Sequence, residues 1–148
     1  MTRKKAIDVA NDPIHSVAAT ARALGVSIHA MRIYEREGLL LPARDAAKHR
    51  RYSDVEMRKI DGIRNFLRGL RMNFEAVRRM IALIPCHRMH QDCTRTMRAS
   101  CEFYQHKDRP CWTYRNPCQG DAGEAACREC RVYTEALEYG DVLRMIKA

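Results

Sequence analysis

Seven cysteines lie between Cys86 and Cys130, and none precedes Cys86. This uneven placement constrains the fold more than any other feature. It splits the 148 residues into a thiol-free part and a thiol-dense part. Within the second part, PCHRMHQDC (85–93) and PCWTYRNPC (110–118) both read P-C-x6-C, offset by 25 residues. An odd number of cysteines cannot all pair within one chain, and a reducing compartment would keep most as thiols. Clustered thiols of that kind point to metal or cluster binding. About 45 residues rarely build a stable core unaided, so a bound group is expected to help fold the segment.

The charge is equally uneven. The formal net charge is +9. Residues 1–84 carry 17 Lys/Arg against 9 Asp/Glu, and residues 85–148 carry 10 against 9. The positive field therefore sits in the thiol-free part, which suits a polyanion, DNA or RNA before an acidic membrane surface. No run approaches the roughly 20 apolar residues of a membrane span. The start, MTRKKAIDVANDPIH, lacks the apolar core of a signal peptide. A cytoplasmic location is the expectation, without membrane association.

The thiol-free part has helical punctuation. Val17, Ala21 and Leu24 recur at helical spacing, Gly25 stops that helix, and Ser27 can cap the next, which runs to about residue 37 and ends at Gly38. Helix, short turn, helix is the helix-turn-helix pattern. Pro42 then forbids a continuing helix. The run Lys48, His49, Arg50, Arg51, Tyr52 fits a short basic hairpin, or wing, that grips phosphates. Ser53 to Glu56 reads as a capping box opening a helix whose apolar face is Val55, Ile60, Ile63, Phe66, Leu67 and Leu70. A further helix is expected from about Asn73, with Phe74, Val77, Met80, Ile81 and Ile84 inward, redirected at Pro85.

L-G-V-S, then Arg32-x-Tyr34-Glu35-x-x-Gly38-Leu39-Leu40, then R-R-Y-S from Arg50 to Ser53, in that order, resemble the MerR family of bacterial transcription regulators over about residues 14–84. The resemblance implies a winged helix-turn-helix, a homodimer, and binding to pseudo-palindromic double-stranded promoter DNA. It also implies distortion of an over-long promoter spacer, so that RNA polymerase is engaged indirectly. Carried over by position, Ser27, His29 and Arg32 lie on the recognition helix with Tyr34 nearby, and Arg50, Arg51 and Tyr52 form the phosphate clamp of the wing. Arg suits guanine edges and phosphates, and Tyr reaches phosphate oxygens. Met31 and Ile33 are expected in the core. Two departures stand out: Ile33 replaces a frequent aromatic, and the wing turn Ala46-Ala47 lacks Gly or Asn.

In most of the family one long dimer helix follows. Here Met89, Cys93, Met97, Cys101 and Tyr104 suggest a helix over about 86–105, cut short by Pro110. On a regular helix Cys86 and Cys93 would be about 10 Å apart along the axis. Two thiolates on one zinc, with bonds of about 2.3 Å, lie within roughly 4 Å of each other. Cys86, Cys93 and Cys101 could not then share an ion; either the helix is broken near Pro85, or each of them pairs with cysteines brought in from the second copy. Cys127 and Cys130, spaced C-x2-C, can chelate directly. Two resemblances compete. Cys86, Cys118 and Cys127 look like the three-thiolate site of the mercury-responsive branch. Alternatively Cys86, Cys93, Cys101, Cys111, Cys118, Cys127 and Cys130 form a duplicated cysteine-rich module, similar to Cys-Trp modules of bacterial sensors, with His87 in place of the tryptophan. The second uses every cysteine and is preferred. His87, His90 and His106 are expected in solvent.

The resulting expectation is a mainly α protein: a basic tail (1–13), a winged helix-turn-helix DNA-binding domain (14–84), a cysteine-rich metal-binding and dimerisation region with a shortened helix (85–131), and a C-terminal helix (132–148) packing on the module or across the dimer. The bound group is expected to be an iron–sulfur cluster, shielded by Phe103, Trp112 and Tyr114, because zinc has no redox chemistry; zinc or another thiophilic metal is the alternative. No catalytic residue is expected. C-R-E-C alone would allow a thiol–disulfide enzyme, but no thioredoxin-like βαβ pattern surrounds it.

Overall fold

A computed structural model of the chain describes residues 13–114, 118 and 123–148. The basic tail lies almost wholly outside these residues, as does much of the loop between Cys118 and Cys127. Strand β1 (His15–Ser16) leads directly into helix α1 (Val17–Leu24), whose first turn is capped by the Ser16 hydroxyl accepting from Ala19 N–H. Gly25 ends α1 in the left-handed region at φ 63°, a conformation that favours glycine. The Ser27 hydroxyl accepts from Ala30 N–H and opens α2 (Ile28–Arg36). Met31 and Tyr34 are its buried positions, and Ile33 is half-buried.

Strands β2 (Ala43–Arg44) and β3 (Arg50–Tyr52) form the wing, and β3 is central in a three-stranded antiparallel sheet ordered β1-β3-β2. The wing turn needs no glycine because Asp45 organises it. Its Oδ1 accepts from Ala47 N–H at 2.9 Å and His49 N–H at 3.0 Å, and Lys48 takes the positive φ of 68°. Helix α3 (Asp54–Arg64) opens with the expected capping box, Ser53 with Glu56, and runs into a π-helical turn at Asn65–Gly69. That wider turn shifts the helical register. Phe66 stays buried, whereas Leu70 is 43% exposed and not on the inner face as the periodicity predicted. Asn73 caps α4 (Phe74–Ala82), which buries Val77 and Ile81.

The single helix expected over 86–105 is replaced by three pieces: α5 (Cys86–Met89), α6 (Arg95–Ser100) and α7 (Glu102–His106). His90 is extended, the Thr94 hydroxyl caps a new helix by accepting from Met97 N–H, and Cys101 is extended again. Each break is a local side-chain or backbone choice that a four-residue spacing pattern does not register. A 3₁₀ turn at Cys111–Thr113 and α8 (Glu124–Glu129) follow. The expected terminal helix is also divided, into α9 (Arg131–Glu135) and α10 (Tyr139–Lys147), the latter capped by Glu138 with Asp141.

This terminal segment packs on α3 of the thiol-free part. The Phe66 and Tyr139 rings meet edge-on at 6.0 Å, and the Gly62 backbone abuts the Leu137 carbonyl. One continuous buried cluster runs from Ala21 through Phe103, Trp112 and Tyr133 to Val142. The two halves of the chain therefore share a core. Among the described residues no helix is long and apolar enough to cross a membrane.

Candidate functional site

One face of the molecule is a cationic cleft of about 380 Å³ between the starts of α1 and α2 and the wing, lined by Ser16, Arg32, Arg44, Lys48, Arg50 and Arg51 among others. Several of these arginines are positioned by acids. Arg50 is bonded to Glu35, Arg44 lies 3.6 Å from the same carboxylate, and Arg51 Nε donates to Asp45 at 3.1 Å. Hydrogen bonding by the His49 N–H is the largest influence that holds the Asp45 carboxyl below its ordinary value. Arg32 and Lys48 are exposed, and their side chains make no ion pair among the described residues. His29 is exposed on α2, and Ser27 is exposed but spends its hydroxyl on the helix cap. Arg44 was not singled out from sequence; its β2 position opposite Arg50 is the signal that could have found it.

Two expected contacts need correction. Tyr52 is 1% exposed, its phenol pushed up to about 12 chiefly by burial, so it is core and not part of a phosphate clamp. Tyr34 is 8% exposed and its ring meets Phe74 at 6.2 Å, so it too serves the core. On β3, Tyr52 is taken up by the core, so of the R-R-Y run only Arg50 and Arg51 line the cleft.

The second site is a small cavity of about 30 Å³ lined by Cys86, Cys93, Cys101, Cys111, Cys118 and Cys130, with His87, His90, Met97, Arg98 and Tyr104. Both copies of the near-repeat thus open on one space. The breaks at His90 and Cys101 lift the constraint that a regular helix would impose on Cys86, Cys93 and Cys101. Cys127 is buried beside this group without lining the cavity. Among the described residues no three His, Cys, Asp or Glu side chains are placed to hold a single metal ion. Burial, followed by the neighbouring thiols, pushes Cys86 and Cys118 up to about 11 and Cys127 up to about 12. Burial also raises Cys111 well above its ordinary value. Such thiols are neutral until a cation reverses the electrostatics, so the donor set suits a soft cation bound with proton release.

The histidines divide. His106 is exposed, but His87 and His90 are half-buried on the cavity wall, contrary to the expectation of solvated rings. His90 Nε2 lies 3.1 Å from Cys130 Sγ. His87 Nδ1 is buried without a hydrogen-bond partner, and burial, then Lys107, Arg98 and Arg88, holds its imidazole below the ordinary value. An orphaned buried nitrogen among soft sulfur donors fits a bound metal centre. Phe103, Trp112 and Tyr114, expected as shields, are all buried.

Residues 15–83 match the family model of MerR HTH family regulatory proteins. Residues 15–83 are a MerR-family helix-turn-helix domain. No curated protein and no solved structure gives a match. The MerR domain makes the chain a DNA-binding transcriptional regulator, and the cationic cleft lies on its helix-turn-helix and wing.

A buried polar junction joins the MerR domain to the cysteine-rich part. Glu56 and Lys59 of α3 are only 1% and 3% exposed. Glu56 accepts from Ser53 N–H at 2.7 Å and from the Tyr133 hydroxyl at 3.1 Å, and that hydroxyl accepts from Leu41 N–H at 2.9 Å. Lys59 Nζ donates to the Ala136 carbonyl at 2.9 Å and sits over the Tyr133 and Trp112 rings at 4.3 and 5.0 Å. Trp112 Nε1 donates to the Gly38 carbonyl at 2.7 Å. Gly38, at φ 76°, ends the recognition helix α2. None of these long-range partners has a sequence signature, because each pair is brought together only by the shared core.

Proposed function

We propose that the chain is a homodimeric cytoplasmic regulator that binds a pseudo-palindromic promoter through Arg32, His29, Ser27 and the wing residues Arg44, Lys48, Arg50 and Arg51. In this reading its cysteine cavity holds a thiolate-ligated iron–sulfur cluster whose state sets how the promoter is distorted for RNA polymerase. The homodimer and the distortion are what the family implies. The observation that carries the sensing part is the convergence of six cysteines, from both copies of the near-repeat, on one cavity within one chain. Thiols spread around a space, and not gathered at a point, suit a cluster, in which different cysteines bind different irons. Zinc, by contrast, gathers its ligands on one ion. A cluster would supply one-electron redox chemistry. The protein's own residues would ligate it and shield it with Phe103, Trp112 and Tyr114. The mercury-type alternative uses Cys86, Cys118 and Cys127, and would leave Cys93, Cys101, Cys111 and Cys130 of the same neighbourhood without a task.

The test is anaerobic purification of the full chain, its visible spectrum, and assays of iron, acid-labile sulfide and zinc. A brown protein with sulfide near stoichiometric with iron supports the cluster. A colourless protein holding zinc tightly refutes it in favour of a zinc site. A metal-free folded protein, whose mercury response is lost on Cys86→Ser, Cys118→Ser and Cys127→Ser, refutes it in favour of the three-thiolate site.

A further inference from the structure

We propose that His87 is a direct ligand of the metal centre in the cysteine cavity, through Nδ1, so that the centre has mixed thiolate and imidazole ligation. The inference rests on reading the cavity as a thiophilic metal site and goes beyond it by naming a ligand that is not a cysteine. Three observations carry it. First, the His87 ring lines the cavity directly after Cys86, at the start of α5. Second, its Nδ1 is buried and has no hydrogen-bond partner among the described residues. Buried polar atoms in folded proteins are nearly always satisfied, and leaving one bare forfeits its hydration with nothing in return. A neutral imidazole carrying its proton on Nε2 presents a lone pair at Nδ1 and can satisfy it on a metal without losing that proton.

Third, the two copies of the near-repeat have diverged at this position. In the second copy the residue after the leading cysteine is Trp112, and its indole N–H turns to the Gly38 carbonyl. In the first copy the equivalent His87 has no such partner and faces the thiols. One copy fastens the module to the MerR domain while the other contributes a ligand. The neighbouring histidine is differently employed: His90 Nε2 is already within 3.1 Å of Cys130 Sγ, which places it beside a ligand sulfur. Tyr104 meets the His87 ring edge-on at 5.8 Å and holds its orientation.

The test is X-ray absorption at the edge of whichever metal the anaerobically purified full chain carries, on wild type, His87→Ala and His90→Ala. Wild type is expected to show one nitrogen scatterer beside the sulfurs, at about 2.0–2.1 Å against about 2.3 Å if the metal is zinc. His87→Ala loses the nitrogen shell and His90→Ala keeps it. Retention of nitrogen in His87→Ala, or its loss in His90→Ala, overturns the assignment. If His87→Ala does not fold, wild type and His90→Ala decide. A metal-loaded wild type with sulfur ligands only overturns the His87 assignment and leaves the metal-site reading intact. A wild type that holds no metal overturns both.

Discussion

Replacing Gly62 with alanine measures how firmly the C-terminal segment is seated on the MerR domain. Gly62 lies inside α3, where a glycine is normally a cost. Gly→Ala in an unobstructed helix stabilises by about 0.5–1 kcal/mol. Here the sign should reverse. A Cβ at Gly62 would lie 1.8 Å from the Leu137 carbonyl oxygen and 2.9 Å from the carbonyl carbon. Both atoms are backbone, so no side chain can swing aside. The contact must open from 1.8 Å to roughly 3.0 Å at least, a displacement of over an ångström between α3 and the link joining α9 to α10. Forcing one methyl into such a contact costs about 1–3 kcal/mol. The same displacement draws the adjacent Ala136 carbonyl away from Lys59 Nζ, now 2.9 Å distant. An ammonium buried without that acceptor adds about 1–3 kcal/mol. Set against the gain in helix propensity, Gly62→Ala should lose about 1–5 kcal/mol in urea unfolding at fixed metal content. Gly140→Ala is the control, because its Cβ would meet nothing nearer than 3.8 Å in α10. It should gain up to about 0.5–1 kcal/mol, as in an unobstructed helix. A Gly62→Ala protein as stable as wild type would refute the seating of Leu137 on α3.

Arg32→Ala should weaken binding to promoter DNA and lower the slope of log affinity against log salt by about 1 if Arg32 contacts a phosphate, measured by fluorescence anisotropy over a salt series. Burial lowers the Lys59 ammonium from 10.5 to about 7. Between those values the unfolded chain binds the extra proton and the native chain does not. Stability from this group therefore rises with pH above about 7 and is flat below it. Lys59→Met should remove that rise, so the difference between the wild-type and variant unfolding free energies changes by up to about 1.4 kcal/mol per pH unit between pH 7 and 8.5. Trp112→Phe keeps an aromatic ring but deletes the bond to the Gly38 carbonyl. Metal content should be unchanged, stability should fall by about 0.5–1.5 kcal/mol, and DNA titrations in oxidised and reduced states should differ less than for wild type.

What could be read from sequence was what local chemistry decides. Ser16, Ser27, Ser53 and Asn73 each cap a helix with their own side chain, and Gly25 and Gly38 mark helix ends by positive φ. Those signals lie within four residues of what they control, so the MerR half was legible almost element by element. The failures were non-local or register-dependent. Leu70 fell off the inner face because a π turn intervened, and Tyr52 turned inward because of its place in the sheet. The single helix expected over 86–105 gives way because positions four apart do not form one face across Thr94, whose hydroxyl caps a new helix. The convergence of the two thiol copies was foreshadowed by the repeat, but the part played by His87 and His90 depended on a fold that only tertiary contacts set.

The shared core bears directly on how a cavity of thiols would influence DNA. Cys111 lines the cavity, and the next residue, Trp112, bonds the carbonyl of the residue that ends the recognition helix. Cys130 also lines the cavity, and α9 begins immediately after it, carrying Tyr133 to Glu56 and to the backbone N–H of Leu41. Two short routes thus leave the cavity and reach the turn between α2 and the wing from two sides. Lys59 lies between them, with its ammonium over both the Trp112 and Tyr133 rings. Both run through hydrogen-bonded groups that are buried or part-buried, whose disruption is costly. A change at the thiols that moves Cys111 relative to Cys130 would have to be absorbed at this junction, because close-packed interiors transmit displacement more readily than they compress. For the proposed sensing, the relevant motion is therefore a shift of the recognition helix against the wing within one chain, added to whatever rearrangement a dimer supplies.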